Sequence, residues 1–160
     1  MAEMAQPLVN KLHEKLEALK AEDIMTRDVI TVDKDMDLAA LADLMIKKRV
    51  SGFPVAGPDG KLLGIITSTD LFTLMDIIRM GRIKMEKESD AINPKINFAM
   101  TTETISISKD ATLDEIIYLM KKRNIHTLPV CENEKLAGVI GRRDVFKHFY
   151  ALAKSVVENR

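Results

Sequence analysis

The sequence predicts a mixed α/β (α+β) chain made of two copies of one β-α-β-β-α unit, related by a pseudo-twofold, with an extra helix in front. Three observations lead there. The chain repeats itself at a long, fixed offset. Short β-branched runs alternate with segments of helical apolar spacing. The one-residue difference between the two copies falls in a turn, where an extra residue is tolerated best.

A shift of 75 positions carries Met25-Thr26 onto Met100-Thr101, Leu38 onto Leu113, Leu44-Met45 onto Leu119-Met120 and Pro54-Val55 onto Pro129-Val130. After Val130 one residue drops out and the shift becomes 74. Gly64, Asp70 and Phe72 then fall on Gly138, Asp144 and Phe146.

In the first copy, Val29-Ile30-Thr31-Val32 is β-branched and reads as a strand. Asp35 or Asp37 can cap a helix through Leu38, Leu41, Leu44 and Met45, which Lys47-Lys48-Arg49 closes at the end that favours cations. Phe53-Pro54-Val55 opens a second strand, Gly57-Pro58-Asp59-Gly60 has turn chemistry, and Leu62 to Ile66 is the third strand. Thr67, Ser68 or Thr69 can cap a second helix running to Ile78. The second copy repeats this order from Thr104 to about Leu152. Leu8, Leu12, Leu16 and Leu19 mark an amphipathic leading helix. The organisation expected is a leading helix over 1–21, a first motif over 22–80, a linker over 81–97, a second motif over 98–153 and a tail over 154–160.

Composition narrows the function. Hydrophobic residues make up 46% of the 160, enough for a core. Lysine plus arginine and aspartate plus glutamate both number 24, so there is no global field for nucleic acid or an anionic membrane. Five Phe and two Tyr are too few for a base-stacking groove, so single-stranded nucleic-acid binding ranks last. No apolar run approaches the roughly 20 residues needed to span a bilayer. A lone Cys131 fits a reducing compartment. The expectation is a cytoplasmic protein with no membrane association. No metal-ligand cluster, nucleophile turn, phosphate loop or dinucleotide fingerprint is present, so no enzyme is expected.

The runs Ile24-Met25-Thr26, Val50-Ser51-Gly52-Phe53-Pro54-Val55 and Gly64-Ile65-Ile66-Thr67-Ser68-Thr69-Asp70 resemble the CBS (cystathionine β-synthase) motif. So do Ala99-Met100-Thr101, Ile125-His126-Thr127-Leu128-Pro129-Val130 and Gly138-Val139-Ile140-Gly141-Arg142-Arg143-Asp144. The resemblance covers residues 22–153 and implies a Bateman-type pair whose clefts take AMP, ADP, ATP or S-adenosylmethionine. It implies that Asp70 and Asp144 hold ribose hydroxyls. By the same resemblance Asp144 works with Val50, Ser51 and Gly52, and Asp70 with Ile125, His126 and Thr127, the residues before Pro-Val lining the adenine slot beside Leu128 and Pro129. A homodimer formed through helices, and a protein partner to which the module reports, are implied as well.

The chemistry suits these residue types. A carboxylate accepts two parallel hydrogen bonds, as a vicinal diol offers, and a helix start presents free N–H groups to an anion. Thr67 and Ser68 add hydroxyls there, while Phe53 and Pro54 can exclude water from an adenine read by backbone groups. An acid at a helix start is also an ordinary cap worth about 1 kcal/mol with no ligand, and both roles stand open. The second copy differs, with Gly141 in place of the Thr and with Arg142 and Arg143 at a helix start that disfavours cations. A phosphate would offset them, and so would solvent. His126 is a candidate phosphate contact or a plain surface side chain. His13 and His148 read as helix-surface residues, and Met45, Met75 and Met120 as core.

Overall fold

The computed structural model describes residues 2–159, with side chains for residues 6–159. The longer helices and the two strand pairs follow the expected order, and three short helices are added to it. The elements are α1 (Ala2–Glu17), α2 (Ala21–Ile24), α3 (Leu38–Lys48), β1 (Gly52–Ala56), β2 (Leu62–Thr67), α4 (Ser68–Arg79), α5 (Glu88–Ile92), α6 (Ile96–Ala99), α7 (Leu113–Lys122), β3 (Thr127–Glu132), β4 (Lys135–Gly141) and α8 (Arg142–Glu158). The short α2 and α6 occupy matching places at the head of each copy, so the repeat reaches back into what reads as linker. The presumed tail is helical as far as Glu158.

The chain forms two compact units that cut across the repeat. One contains Met1–Val29, Ile105–Asn133 and Ala137–Arg160, and the other Ile30–Thr104 with Glu134–Leu136. Each leading segment thus joins the body of the other copy.

In the unit of Ile30–Thr104, β1 and β2 pair antiparallel from Gly52↔Thr67 to Ala56↔Leu62. Thr101 joins β2 as well, exchanging backbone hydrogen bonds of 2.9 Å with Ile65 in both directions. Gly64 permits this approach, since a Cβ there would stand 2.5 Å from the Thr101 carbonyl oxygen. Val32, Leu41, Phe53, Val55, Ile66 and Leu74 form the core. The start of α3 is satisfied from outside: the Leu38 N–H donates to the Pro94 oxygen (3.0 Å) and the Ala39 N–H to Asn93 Oδ1 (2.9 Å). Asp37 stands at the cap position, but its carboxylate accepts from Lys95 Nζ at 2.9 Å. That ion pair raises the Lys95 pKa above its ordinary value, the Asp37 hydrogen bond being the largest cause.

In the other unit, Thr26 and Val139 exchange backbone hydrogen bonds of 2.9 and 3.0 Å. Ile24, Ile116, Leu128, Val130 and Ile140 are among the core residues, with Leu16, Leu19 and Phe149 packed against them. Here α7 carries its own cap. The Thr112 N–H and hydroxyl donate to Glu115 Oε2 at 2.7 and 3.1 Å, and the Glu115 N–H returns to the Thr112 hydroxyl at 3.2 Å. Those donors hold the Glu115 carboxyl below its usual pKa, the Thr112 backbone N–H contributing most.

Two further expectations change. The first strand of each copy shrinks to a single parallel bridge, Val32 to Val55 and Ile107 to Val130. Val32 donates to the Pro54 oxygen and accepts from Ala56, and Ile107 does the same with Pro129 and Cys131. The next rung would need an N–H from Pro54 or Pro129, which neither has, so the ladder stops. Met75 is 60% exposed rather than core, whereas Met45 and Met120 are buried. Its repeat counterpart, Phe149, lies on α8 and packs against the core of its unit; α8 contacts α1, whereas α4 contacts α3 and the short α6.

Candidate functional site

The two aspartates occupy equivalent places, on the third residue of α4 and of α8. Asp70 Oδ2 accepts the Thr67 N–H at 2.7 Å and the Thr67 hydroxyl at 2.8 Å, so one oxygen fastens the start of α4. Its Oδ1 accepts no hydrogen bond among the described residues. Asp144 Oδ2 accepts the Gly141 N–H at 2.7 Å, and Oδ1 accepts the Thr26 hydroxyl at 3.4 Å. Both carboxylates are half-buried, and neither enters an ion pair among the described residues. Capping and spare acceptor capacity therefore coexist in one side chain, because a carboxylate has about four acceptor positions and the cap uses only one or two.

Within each unit a backbone bond draws the strand entry to the helix start. The Ser68 N–H donates to the Ser51 oxygen at 2.8 Å, and the Arg142 N–H to the His126 oxygen at 3.2 Å. Ser51, Gly52, Thr67, Ser68 and Asp70 thus come together in one unit. A Cβ on Gly52 would lie 3.3 Å from Thr67 Cγ2, so a small residue suits that position. In the other unit His126, Thr127, Gly141, Arg142 and Asp144 come together. Val50, Ser51 and His126 are exposed, and Ile125 and Thr127 are half-buried.

The apolar members of the set have a different duty. Phe53, Pro54, Leu128 and Pro129 are buried, and the Phe53 and Leu128 side chains are each spent on the core of their own unit. Because the middle of both β1 and β3 is buried residue after residue, there is no open face for these side chains to present.

Arg142 is half-buried and its Nη2 donates to Asn124 Oδ1 at 3.2 Å, while the Arg143 side chain is exposed. His148 Nδ1 lies 2.8 Å from the Asp144 backbone oxygen, a contact along one helix. His13 forms an exposed pair with Glu17 at 3.1 Å. Cys131 is half-buried in β3, and burial pushes its thiol pKa up, which suits packing rather than nucleophilic attack. Among the described residues no group of three His, Cys, Asp or Glu stands where it could hold a metal ion, and no helix is long and apolar enough to cross a membrane.

Thr26 is the site residue that sequence reasoning missed. Its hydroxyl reaches an acid 118 positions away, and the only trace in the sequence is the recurrence of Met-Thr at the head of each copy.

Comparison with known proteins agrees with this architecture. The CBS domain matches residues 21–77 and again residues 95–151. An uncharacterized protein of Methanocaldococcus jannaschii, MJ1426, is 31% identical, the match covering 88% of this chain and 96% of that one. The crystal structure of CBSX2 in complex with AMP has a TM-score of 0.72 at 20% identity, over 84% of this chain and 98% of that one. The CBS domain pair of protein MJ0100, in complex with 5′-methylthioadenosine and S-adenosyl-L-methionine, has a TM-score of 0.67 at 24% identity, over 83% and 97%. With two matched copies covering most of its length, the chain belongs to the CBS domain family.

Proposed function

We propose that this CBS pair is a regulatory module that takes an adenosine-containing ligand and reports its presence to a partner protein. One observation carries the reading. Two repeat-equivalent aspartates each cap a helix with one carboxylate oxygen and keep acceptor capacity for a sugar hydroxyl. Two neighbours of the same fold hold AMP, or 5′-methylthioadenosine with S-adenosylmethionine, which supports the ligand class. Arg142 and Arg143, placed at the start of α8, favour a phosphorylated ligand at the Asp144 end, while the Asp70 end suits one with less phosphate. A ligand signals only by binding two arrangements with different affinity, so the proposal includes such a pair of arrangements.

Titration calorimetry of AMP, ADP, ATP and S-adenosylmethionine against the wild type and the Asp70→Ala and Asp144→Ala variants tests it. Loss of binding in at least one variant is expected. At a ligand concentration 100 times Kd the protein gains about 2.7 kcal/mol, easily read as a melting shift. Unchanged binding in both variants ends the reading.

A second reading has its own support. Phe72 on α4 and Phe146 on α8, repeat-equivalent positions, are 68% and 59% exposed. Rings so exposed favour a module whose task is self-association, with or without ligand. Sedimentation that finds a dimer, together with no nucleotide shifting the melting temperature, would favour it over ligand sensing.

A further inference from the structure

We infer that the residue capping each long helix, Thr67 before α4 and Gly141 before α8, sets how the neighbouring aspartate grips a sugar, so that the Asp144 site demands both hydroxyls of a vicinal diol and the Asp70 site does not. The inference rests on the reading of Asp70 and Asp144 as sugar-binding acids.

It follows from counting acceptor positions. Each carboxylate oxygen accepts about two hydrogen bonds in the plane of the group. At Asp70 the Thr67 N–H and hydroxyl both converge on Oδ2, at 2.7 and 2.8 Å, and fill it. Only Oδ1 remains, so a diol cannot place one hydroxyl on each oxygen. One hydroxyl binds well and its neighbour gains little.

Asp144 is arranged otherwise. Gly141 has no hydroxyl to give, so Oδ2 accepts a single N–H at 2.7 Å, and Oδ1 accepts a single, longer bond from Thr26 at 3.4 Å. One acceptor position remains on each oxygen, the arrangement that two adjacent hydroxyls meet in parallel. Thr26 acts here as a positioning residue, holding the carboxylate plane from the Oδ1 side.

The cap difference can be exchanged without rebuilding the site. A Cβ on Gly141 would lie 3.5 Å from Asp144 Oδ2 and 3.9 Å from the His126 oxygen, ordinary contact distances, and the residue's φ of −94° suits any side chain. In the other direction, Thr67→Val keeps the β-branched shape and removes only the hydroxyl.

The experiment isolates one site at a time, with Asp70→Asn leaving the Asp144 site and Asp144→Asn leaving the Asp70 site. Each protein is titrated with AMP, 2′-deoxy-AMP and 3′-deoxy-AMP. At the Asp144 site, removing either hydroxyl is expected to weaken binding about tenfold or more, the usual scale for a hydrogen bond to a charged group. At the Asp70 site at least one of the two deoxy ligands should bind within about threefold of AMP. Adding Gly141→Thr to the Asp70→Asn protein should relax the demand, and adding Thr67→Val to the Asp144→Asn protein should sharpen it. Thr26→Val should reduce the discrimination at the Asp144 site with little change in melting temperature. Equal discrimination at the two sites, or caps that exchange without effect, overturns the inference while the parent reading stands, provided the Asp→Asn changes weaken AMP binding. If neither change affects AMP binding, the parent reading falls and takes this one with it.

Discussion

The starts of α3 and α7 are the same position in two copies of one repeat, yet they are secured by opposite means. Thr112 and Glu115 cap α7 from within four residues of chain. The start of α3 borrows its acceptors from Asn93 and Pro94, more than fifty residues downstream, and Asp37 turns to Lys95. A helix end needs partners for its free N–H groups and is indifferent to their source. Duplicated units can therefore diverge in their caps while keeping one fold.

The leading segments offer the largest test of how equivalent the two units are. A Cβ on Gly64 meets a backbone carbonyl at 2.5 Å, whereas one on Gly138 meets the flexible Met25 side chain at 2.6 and 2.9 Å and the Thr26 oxygen at 2.9 Å. Overpacking of this kind costs about 1–3 kcal/mol. Gly64→Ala is expected near the top of that range and Gly138→Ala lower, as read by denaturant unfolding. Equal losses would mean that both leading segments yield alike.

Next in size are the caps. Thr112→Ala and Asn93→Ala should each cost about 1 kcal/mol, one acting locally and the other across the chain. Hydrogen exchange should place the first effect in α7 and the second in α3. If Asn93→Ala leaves α3 unchanged, the borrowed cap contributes nothing. Gly141→Thr adds the missing hydroxyl at the start of α8 and should raise stability by a few tenths of a kcal/mol, measurable as a small rise in Tm.

The smallest effect is a pair of opposite pH dependences. Glu115 has its pKa lowered by Thr112, so its contribution is complete above the unfolded value of about 4.3 and fades as pH falls through the folded value. Lys95 has its pKa raised by Asp37, so its contribution is complete below about 10.4 and fades as pH rises through the folded value. Glu115→Gln should flatten the acid limb of the melting profile and Lys95→Met the alkaline limb. Both side chains are exposed, so added salt should shrink the two effects. A Glu115→Gln profile that still bends below pH 4.3 as the wild type does would discard the acid-limb assignment.

What was legible in the sequence was whatever is written locally. Beside the repeat, which shows as a fixed offset, the helix start near Thr67, the turn at 57–60 and the two aspartates all carry their signal within a few residues. The first strands were misjudged because β-branched content marks extended chain but does not count donors, and Pro54 and Pro129 remove the rungs such a strand would use. Met75 was misplaced because helical spacing assigns a face without saying whether anything covers it. Thr26 beside Asp144, and Asn93 above α3, join residues far apart in the chain, and no local pattern names their partners.

The exchange of leading segments has a consequence for birth order on the ribosome. Residues 30–104 make up almost the whole of one unit, so that unit can consolidate soon after its last stretch emerges. Residues 1–29 are synthesised before it but close against residues 105–160, and must wait for the final third of the chain. During that interval Leu16 on α1, and Leu19 just beyond it, have nothing to settle on. Nascent-chain length therefore determines when this helix stops being a liability, and chaperone contact is expected to concentrate there.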